Sequence, residues 1–255
     1  MIKVDCKKYA DDILDRVSQV GDKGGLVIVT AGNDPASQIY MKGKLKDAER
    51  CGIPATKIEV SNQVSLRNAV QYGNGDPTVS GIIVQLPLPE GYDEDWATNT
   101  VCNAKDVDGF KSNSPFKPCT PEGIMYILRK ELGDLTGKTA LVIGRGKLVG
   151  EPLAKMLLDA DCTVTVAHSK TKDLDDMLTF YDIIISAVGK PNLIDLNHCC
   201  ADIVIDAGGD CYGFDPDNEW AGDMKVAITP NGIGLMTRAV LMAHVARMDI
   251  YAEIS

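Results

Sequence analysis

Residues 138–143 read KTALVI, an apolar and largely β-branched run, followed at once by GRGKLVG and then by EPLAKMLLDA. A strand that passes through a glycine-rich turn into a helix is half of a βαβ unit, and repeated units of that kind build a parallel sheet. Three more strand-like runs follow: Thr163–Ala167 (TVTVA), Asp182–Ala187 (DIIISA) and Ile203–Asp206 (IVID), with a short helix near Leu174–Leu178. The first half repeats the alternation. Strands are predicted at Leu26–Thr30, Thr56–Val60 and Gly81–Gln85, the last being a buried run that ends at LPLP. Between them, Asn33, Asp34 and Pro35 supply a loop, a cap and a first-turn proline for a helix running to about Cys51, with Gly52 as its stop signal. A second helix is predicted over Gln63–Tyr72.

Residues 87–118 carry prolines and polar turns and read as loops and short pieces. A helix opens at Thr120-Pro121-Glu122, the GDLTG stretch Gly133–Gly137 is a linker, and an amphipathic helix from about Met236 to Ala252 closes the chain. The fold class is therefore α/β, with two α/β domains and a cleft between them. The first comprises residues 1–135 with 236–255, and the second, Rossmann-like, comprises 136–235.

Composition narrows the partners. A 255-residue chain is long enough for two modest domains, and 45% hydrophobic with 24% charged residues is the balance of a soluble globular protein. The formal charge of −10 and the lack of a basic run argue against nonspecific nucleic-acid or anionic-membrane binding. No apolar stretch is long enough to span a bilayer, and MIKVDCKKYADD lacks the apolar core of a signal peptide, so the cytoplasm is expected. Eight cysteines show no C-x-x-C pair and no repeated spacing. They read as free, mostly buried thiols, and no metal site is expected.

Two regions carry chemistry. Gly144-Arg145-Gly146-Lys147-Leu148-Val149-Gly150 sits between a strand and a helix, where glycines let a pyrophosphate approach the backbone N–H groups of the helix start. Its G-x-G-x-x-x-G spacing is one residue longer than the usual dinucleotide fingerprint. After TVTVA come His168, Ser169, Lys170, Thr171 and Lys172, with no acid before Asp173. Hydroxyls and cations, joined by Arg145, suit a 2′-phosphate, so NADP is favoured over NAD.

The second region is SQIYMKGK. Tyr40 and Lys44 are four residues apart and share one helix face. Gly43 lies between them at a cost of about 1 kcal/mol relative to alanine, which marks a place where something packs close to the helix backbone. The sequence does not say what. Gln85 ends a parallel strand, where ligand sites in open α/β sheets concentrate. In KDVDGF, Asp106 or Asp108 can pair bidentately with two N–H donors.

Taken together and in order, NDPASQIYMKGK, GIIVQLPLP, KDVDGF, PCTPEGI, GRGKLVGEP, TVTVAHSKT, SAVGKPN and GLMTRAVLM cover nearly the whole chain. The set resembles the methylenetetrahydrofolate dehydrogenase/cyclohydrolase family. The resemblance implies NADP-dependent oxidation of 5,10-methylenetetrahydrofolate to the methenyl cation, then hydrolysis to 10-formyltetrahydrofolate. It implies catalytic roles for Lys44, Tyr40, Gln85 and Asp108: an essential lysine, the tyrosine one turn before it, the glutamine that holds it, and the aspartate that grips the pterin. For tetrahydrofolate derivatives it adds Leu86, Pro87, Asn231, Gly232 and Ile233. The implied NADP set is Gly144, Arg145, Gly146, Lys147, Val149 and Gly150, with His168, Ser169, Ala187, Val188, Gly189 and Gly209. A homodimer is expected, with the final helix packed on the first domain.

The chain is shorter than the usual family member, with the stretch between Gly222-Asp223 and Ile228 compressed as though a short helix were deleted, and its motifs depart from the family in two further places. ITPNGIGLMT carries Asn231 and Leu235 where the family has a Pro-Gly-Gly-Val loop and a proline before Met-Thr, and IDAGGD has Gly209 where a bulky aliphatic residue is usual. These substitutions leave open two alternatives, a dehydrogenase with reduced cyclohydrolase activity or NAD preference, and a non-catalytic folate-binding paralog.

Overall fold

The computed structural model describes residues 2–196, 199–208, 212–213, 224–227 and 232–252. In chain order the elements are β1 (Ile2–Lys3), α1 (Cys6–Gln19), β2 (Gly25–Ala31), α2 (Pro35–Arg50), β3 (Ala55–Val60), α3 (Gln63–Gly75), β4 (Val79–Val84) and α4 (Glu94–Thr100). A short 3-10 turn at Asn103–Lys105 leads to α5 (Cys119–Leu132), β5 (Thr139–Ile143), α6 (Gly150–Leu158), β6 (Thr163–Ala167), α7 (Leu174–Met177) and β7 (Ile183–Ser186). The chain continues with β8 (Ile194–Asp195), β9 (Ile203–Asp206), β10 (Tyr212–Gly213), β11 (Lys225–Ala227) and α8 (Ile233–Val245).

These elements form two compact units. One comprises residues 10–119 and 238–253, the other residues 1–9, 120–237 and 254–255. In the first, a three-stranded sheet of order β3-β2-β4 is parallel throughout. Val27, Val29, Ile82 and Val84 from its strands pack with Leu66, Ala69 and Val70 of α3 and Ala97 of α4. The start of α2 follows the sequence signal: the Asp34 side chain accepts from Ser37 N at 2.7 Å, and Pro35 occupies the first turn. Gly52, at φ 66°, ends it. Residues 87–118 are loop apart from α4 and the 3-10 turn.

In the second unit a six-stranded parallel sheet has the order β1-β11-β9-β7-β5-β6. Its core joins Leu141, Ile143, Ala167, Ile184, Val204 and Val226 to Ile194 of β8 and to Leu178 and Leu196 from the connections. Helix α5 belongs to this unit: Tyr9 Oη donates to Glu131 at 2.7 Å, Lys225 pairs with Glu131 at 3.0 Å, and Thr120 and Thr237 share a 2.9 Å hydroxyl bond. The GDLTG turn thus joins α5 to β5 within one unit.

Two local expectations are corrected. Helix α8 is apolar nearly all round, not amphipathic: Met236, Ala239, Val240, Leu241, Met242, Ala243 and Val245 are all fully buried. It also stops at Val245, because Arg247 takes a left-handed φ of 57° that cannot continue a helix. Helix α1 is a further element, absent from the sequence reading, marked by buried Cys6, Ala10, Ile13, Leu14 and Val17 at helical spacing. Among the described residues, no helix is long and apolar enough to cross a membrane. Cys6, Cys51, Cys119, Cys162 and Cys199 are buried free thiols, whereas Cys102 and Cys200 are exposed.

Candidate functional site

Lys44 lies on α2 and Gln85 follows the last residue of β4, its amide still bound to Val29 O at 2.8 Å. The helix and strand bring the two side chains together, with Lys44 Nζ donating to Gln85 Oε1 at 3.0 Å. Gln85 Nε2 donates to Leu86 O at 2.8 Å, which orients the amide with its oxygen toward the lysine. Lys44 is 4% exposed, so its amine has exchanged nearly all of its water for protein. The Tyr40 ring, one turn earlier, has its centroid 5.2 Å from Nζ, within cation–π range. The shared helix face predicted for the pair is what sets the Tyr40 ring beside the Lys44 amine.

The two aspartates of KDVDGF do different jobs. Asp106 is buried, and its carboxylate accepts from Phe110 N at 3.3 Å and Lys111 N at 3.0 Å, while its carbonyl accepts from Ser114 Oγ at 3.1 Å. It organises the loop. Asp108 makes no side-chain hydrogen bond among the described residues. Burial pushes its carboxyl above the usual range, although the residue keeps some solvent exposure, and the charges of Lys44 and then His244 pull it part of the way back. A desolvated carboxylate near a buried amine, with its acceptor positions open, suits a ligand that offers N–H donors.

Two residues of α8 complete the surroundings and were not picked out from the sequence. His244 Nδ1 lies 2.8 Å from Val107 O, and because a carbonyl only accepts, that nitrogen carries the proton. This bond, together with Cys119 Sγ donating to the same carbonyl at 3.1 Å, holds the turn that carries Asp108. Phe116 packs on the imidazole with centroids 4.8 Å apart. Arg238 is the second, paired through Nε with Asp47 Oδ2 at 2.8 Å. The signal that would have found both is a lone cation or imidazole in an otherwise apolar helix.

The glycine loop occupies the carboxyl edge of the six-stranded sheet. Gly144 has φ 110°, and a Cβ there would meet Val188 Cγ1 at 2.8 Å and Ala187 O at 3.1 Å. A Cβ on Gly150 would lie 2.2 Å from Gly144 O, so the loop folds back tightly on the start of α6. Nothing lies within 4 Å of the corresponding point on Gly146, and no side chain caps α6. An open glycine backbone beside an uncapped helix start fits a dinucleotide pyrophosphate. Ala187, Val188 and Gly189 follow β7 beside Gly208, where a Cβ would meet Val188 O at 2.1 Å. Arg145, Lys147 and Ser169 are exposed, Val149 is half-buried, and half-buried His168 accepts from Lys170 N through Nδ1 at 3.1 Å.

Of the remaining expected ligand contacts, Leu86 is half-buried and Pro87 exposed beside Gln85, while Gly232 and Ile233 are buried at the start of α8. Asn231 and Gly209 lie outside the described residues.

Comparison with known proteins gives the arrangement a lineage. The profile for the tetrahydrofolate dehydrogenase/cyclohydrolase catalytic domain matches residues 4–108, and that for the NAD(P)-binding domain of the same family matches residues 118–252. The chain is 40% identical over 250 residues to "Bifunctional protein FolD 2" of Pseudomonas putida, an alignment covering 89% of this chain and 82% of the relative. It is 38% identical over 269 residues to "Bifunctional protein FolD" of Rhodospirillum rubrum, covering 93% and 90%. Among solved structures it resembles the bifunctional FolD methylenetetrahydrofolate dehydrogenase/cyclohydrolase of Campylobacter jejuni, with a TM-score of 0.89 at 33% identity over 97% of this chain and 98% of that one. The Trypanosoma brucei methylenetetrahydrofolate dehydrogenase-cyclohydrolase, solved with NADP and an inhibitor, has a TM-score of 0.86 at 28% identity over 96% and 95%. With both domains matched in order, this chain belongs to the tetrahydrofolate dehydrogenase/cyclohydrolase family.

Proposed function

We propose that this protein oxidises 5,10-methylenetetrahydrofolate with NADP and hydrolyses the resulting methenyl cation to 10-formyltetrahydrofolate. The observation that carries the reading is the buried Lys44 amine held at 3.0 Å by the uncharged Gln85 oxygen. A neutral acceptor fixes the direction of the amine without placing a negative charge against it. In hydrolysis, the Lys44 nitrogen takes a proton from the water that attacks the methenyl carbon, and the ring opens to the formyl product. Tyr40 walls the amine from solvent, and Asp108 pairs with N–H donors of the pterin, setting the reacting carbon within reach of Lys44.

NADP, when bound, supplies the hydride acceptor for the first step. Gly144, Gly146 and Gly150 would hold its pyrophosphate, and Arg145 with Ser169 its 2′-phosphate. For ligand chemistry this divides the chain into residues 1–135 with 236–255, which take the folate, and 136–235, which take the cofactor. We also propose a homodimer, on the ground that β6 is an edge strand with Val166 39% exposed.

The test is a paired assay on the purified protein, following methenyl formation by absorbance with NADP and with NAD, and separately following hydrolysis of the methenyl compound. Both activities with NADP are expected. Neither activity would overturn the reading, and dehydrogenation without hydrolysis would select the narrower enzyme.

A further inference from the structure

Gly43 shares a face of α2 with Tyr40 and Asp47 and immediately precedes Lys44. A Cβ built on it would lie 1.8 Å from Arg238 Nη1, 2.7 Å from Cζ and 3.2 Å from Cδ. The arginine therefore lies lengthwise against bare helix backbone, in space that any other residue would fill. At the same time its Nε pairs with Asp47 Oδ2 at 2.8 Å, with the two side chains only 20% and 11% exposed. Burial raises the Asp47 carboxyl and the Arg238 charge draws it back, as expected of a partly desolvated pair.

We propose that Arg238 is a positioning residue for Lys44: a guanidinium admitted by Gly43 and anchored by Asp47, which fixes α2 where the lysine stem leaves it for Gln85. The inference rests on the proposed hydrolytic role of Lys44. A lysine side chain has four flexible bonds, so a 3.0 Å bond to a group on a different element holds only if the helix beneath is fixed in roll and height. Three of the four residues that matter, Gly43, Lys44 and Asp47, lie within two turns of one helix, and the fourth clamps it from α8. This also accounts for a glycine in a helix interior, which weakens the helix by about 1 kcal/mol relative to alanine.

The test separates placement from folding. In Gly43→Ala the new methyl takes the space of Nη1, the far end of a flexible side chain, so the helix gains propensity while the guanidinium is displaced. Its Tm is expected to hold or rise while kcat for hydrolysis falls about tenfold, the scale set by a sub-ångström to ångström misplacement. Hydride transfer should fall less, because it does not use the Lys44 amine. Arg238→Leu should show the same split between hydrolysis and hydride transfer but with a lowered Tm, because it strands the Asp47 carboxyl, and the double variant should be no worse than Arg238→Leu alone, since the methyl then displaces nothing.

A second readout needs no turnover: acylation of Lys44 by an amine-reactive ester, quantified by peptide mass spectrometry. Release from Gln85 is expected to speed labelling in Gly43→Ala. Unchanged labelling and hydrolysis in Gly43→Ala, or equal loss of both activities with a lowered Tm, would overturn the inference. A wild-type protein without hydrolysis whose Lys44 labelling still responds to Gly43→Ala would remove the hydrolytic step from the proposed function and leave the positioning intact.

Discussion

Lys44→Met removes the amine while keeping an unbranched apolar side chain along much of the same path. Lys44 is 4% exposed and its Nζ reaches Gln85 Oε1 at 3.0 Å, so the variant strands one acceptor on a half-buried side chain. An unsatisfied buried acceptor costs about 1–3 kcal/mol. Against this stand relief from burying an amine and a gain in apolar burial, so the net change in stability should be about 1 kcal/mol or less, a Tm shift of about 2–4 °C. Activity should respond on another scale. Loss of a positioned general base costs about 10²–10⁴-fold, so hydrolysis should nearly vanish while hydride transfer persists. Following the methenyl chromophore during NADP reduction reads both at once: the intermediate should accumulate where the wild type consumes it. Since the Lys44 charge is the larger of the two that pull the Asp108 carboxyl down, that carboxyl should titrate still higher in the variant, visible by carbon-detected NMR. Hydrolysis within about tenfold of wild type in a folded Lys44→Met protein would refute the assignment of the base.

Three further outcomes are expected. Asp108→Asn should raise Tm at pH 7, because a carboxyl whose folded value is raised loses its favourable contribution as pH climbs through that value, and the gain should shrink toward the unfolded value of about 3.9. The same variant should lose folate turnover, and melts between those pH limits with no difference from wild type would contradict the reasoning. Asp182→Ala leaves Thr139 N and Oγ1 without an acceptor now at 2.7 and 2.8 Å, and should cost about 1–3 kcal/mol by denaturant titration. Because its carboxyl is held low, chiefly by the Thr139 amide, the deficit should be full above the unfolded carboxylate range and fade as pH falls through the folded value. Gly150→Ala would put a Cβ 2.2 Å from Gly144 O and 3.1 Å from Arg145 N, both backbone atoms, so the loop must move. NADP affinity should drop by at least about tenfold by fluorescence titration, and an unchanged Kd would show that the loop does not hold the cofactor.

Much of the fold was legible because strands and helices announce themselves locally. TVTVA and IVID are strands to the residue, and Asp34 caps α2 as its sequence predicts. Helix α1 has its apolar residues at helical spacing too, but they are interleaved with Lys7, Lys8, Asp11, Asp12, Asp15 and Arg16. Helix α8 differs from its expected amphipathic character for another reason. Its one arginine and one histidine resemble a polar face, but both are enclosed, Arg238 against α2 and His244 against the Val107 carbonyl. The candidate site followed the same divide. Tyr40 and Lys44 could be paired by their spacing within one helix, whereas spacing alone did not separate Asp106 from Asp108; the family resemblance named Asp108, and the structure binds Asp106 to its own loop.

By itself the sequence determined the parallel βαβ alternation, the glycine turn before α6 and the helix face that carries Tyr40 and Lys44, because each depends on residues within one or two turns of one another. Only the tertiary structure showed that the Lys44 amine reaches Gln85, that Asp106 is bound to its own loop, and why position 43 is glycine. Those depend on side chains that are distant in sequence: Gln85 lies 41 residues from Lys44, and Arg238 comes from the last helix. A local pattern specifies an element and its faces. What meets each face is settled by packing, where burial makes an unpaired amine or an extra methyl costly enough to select one arrangement.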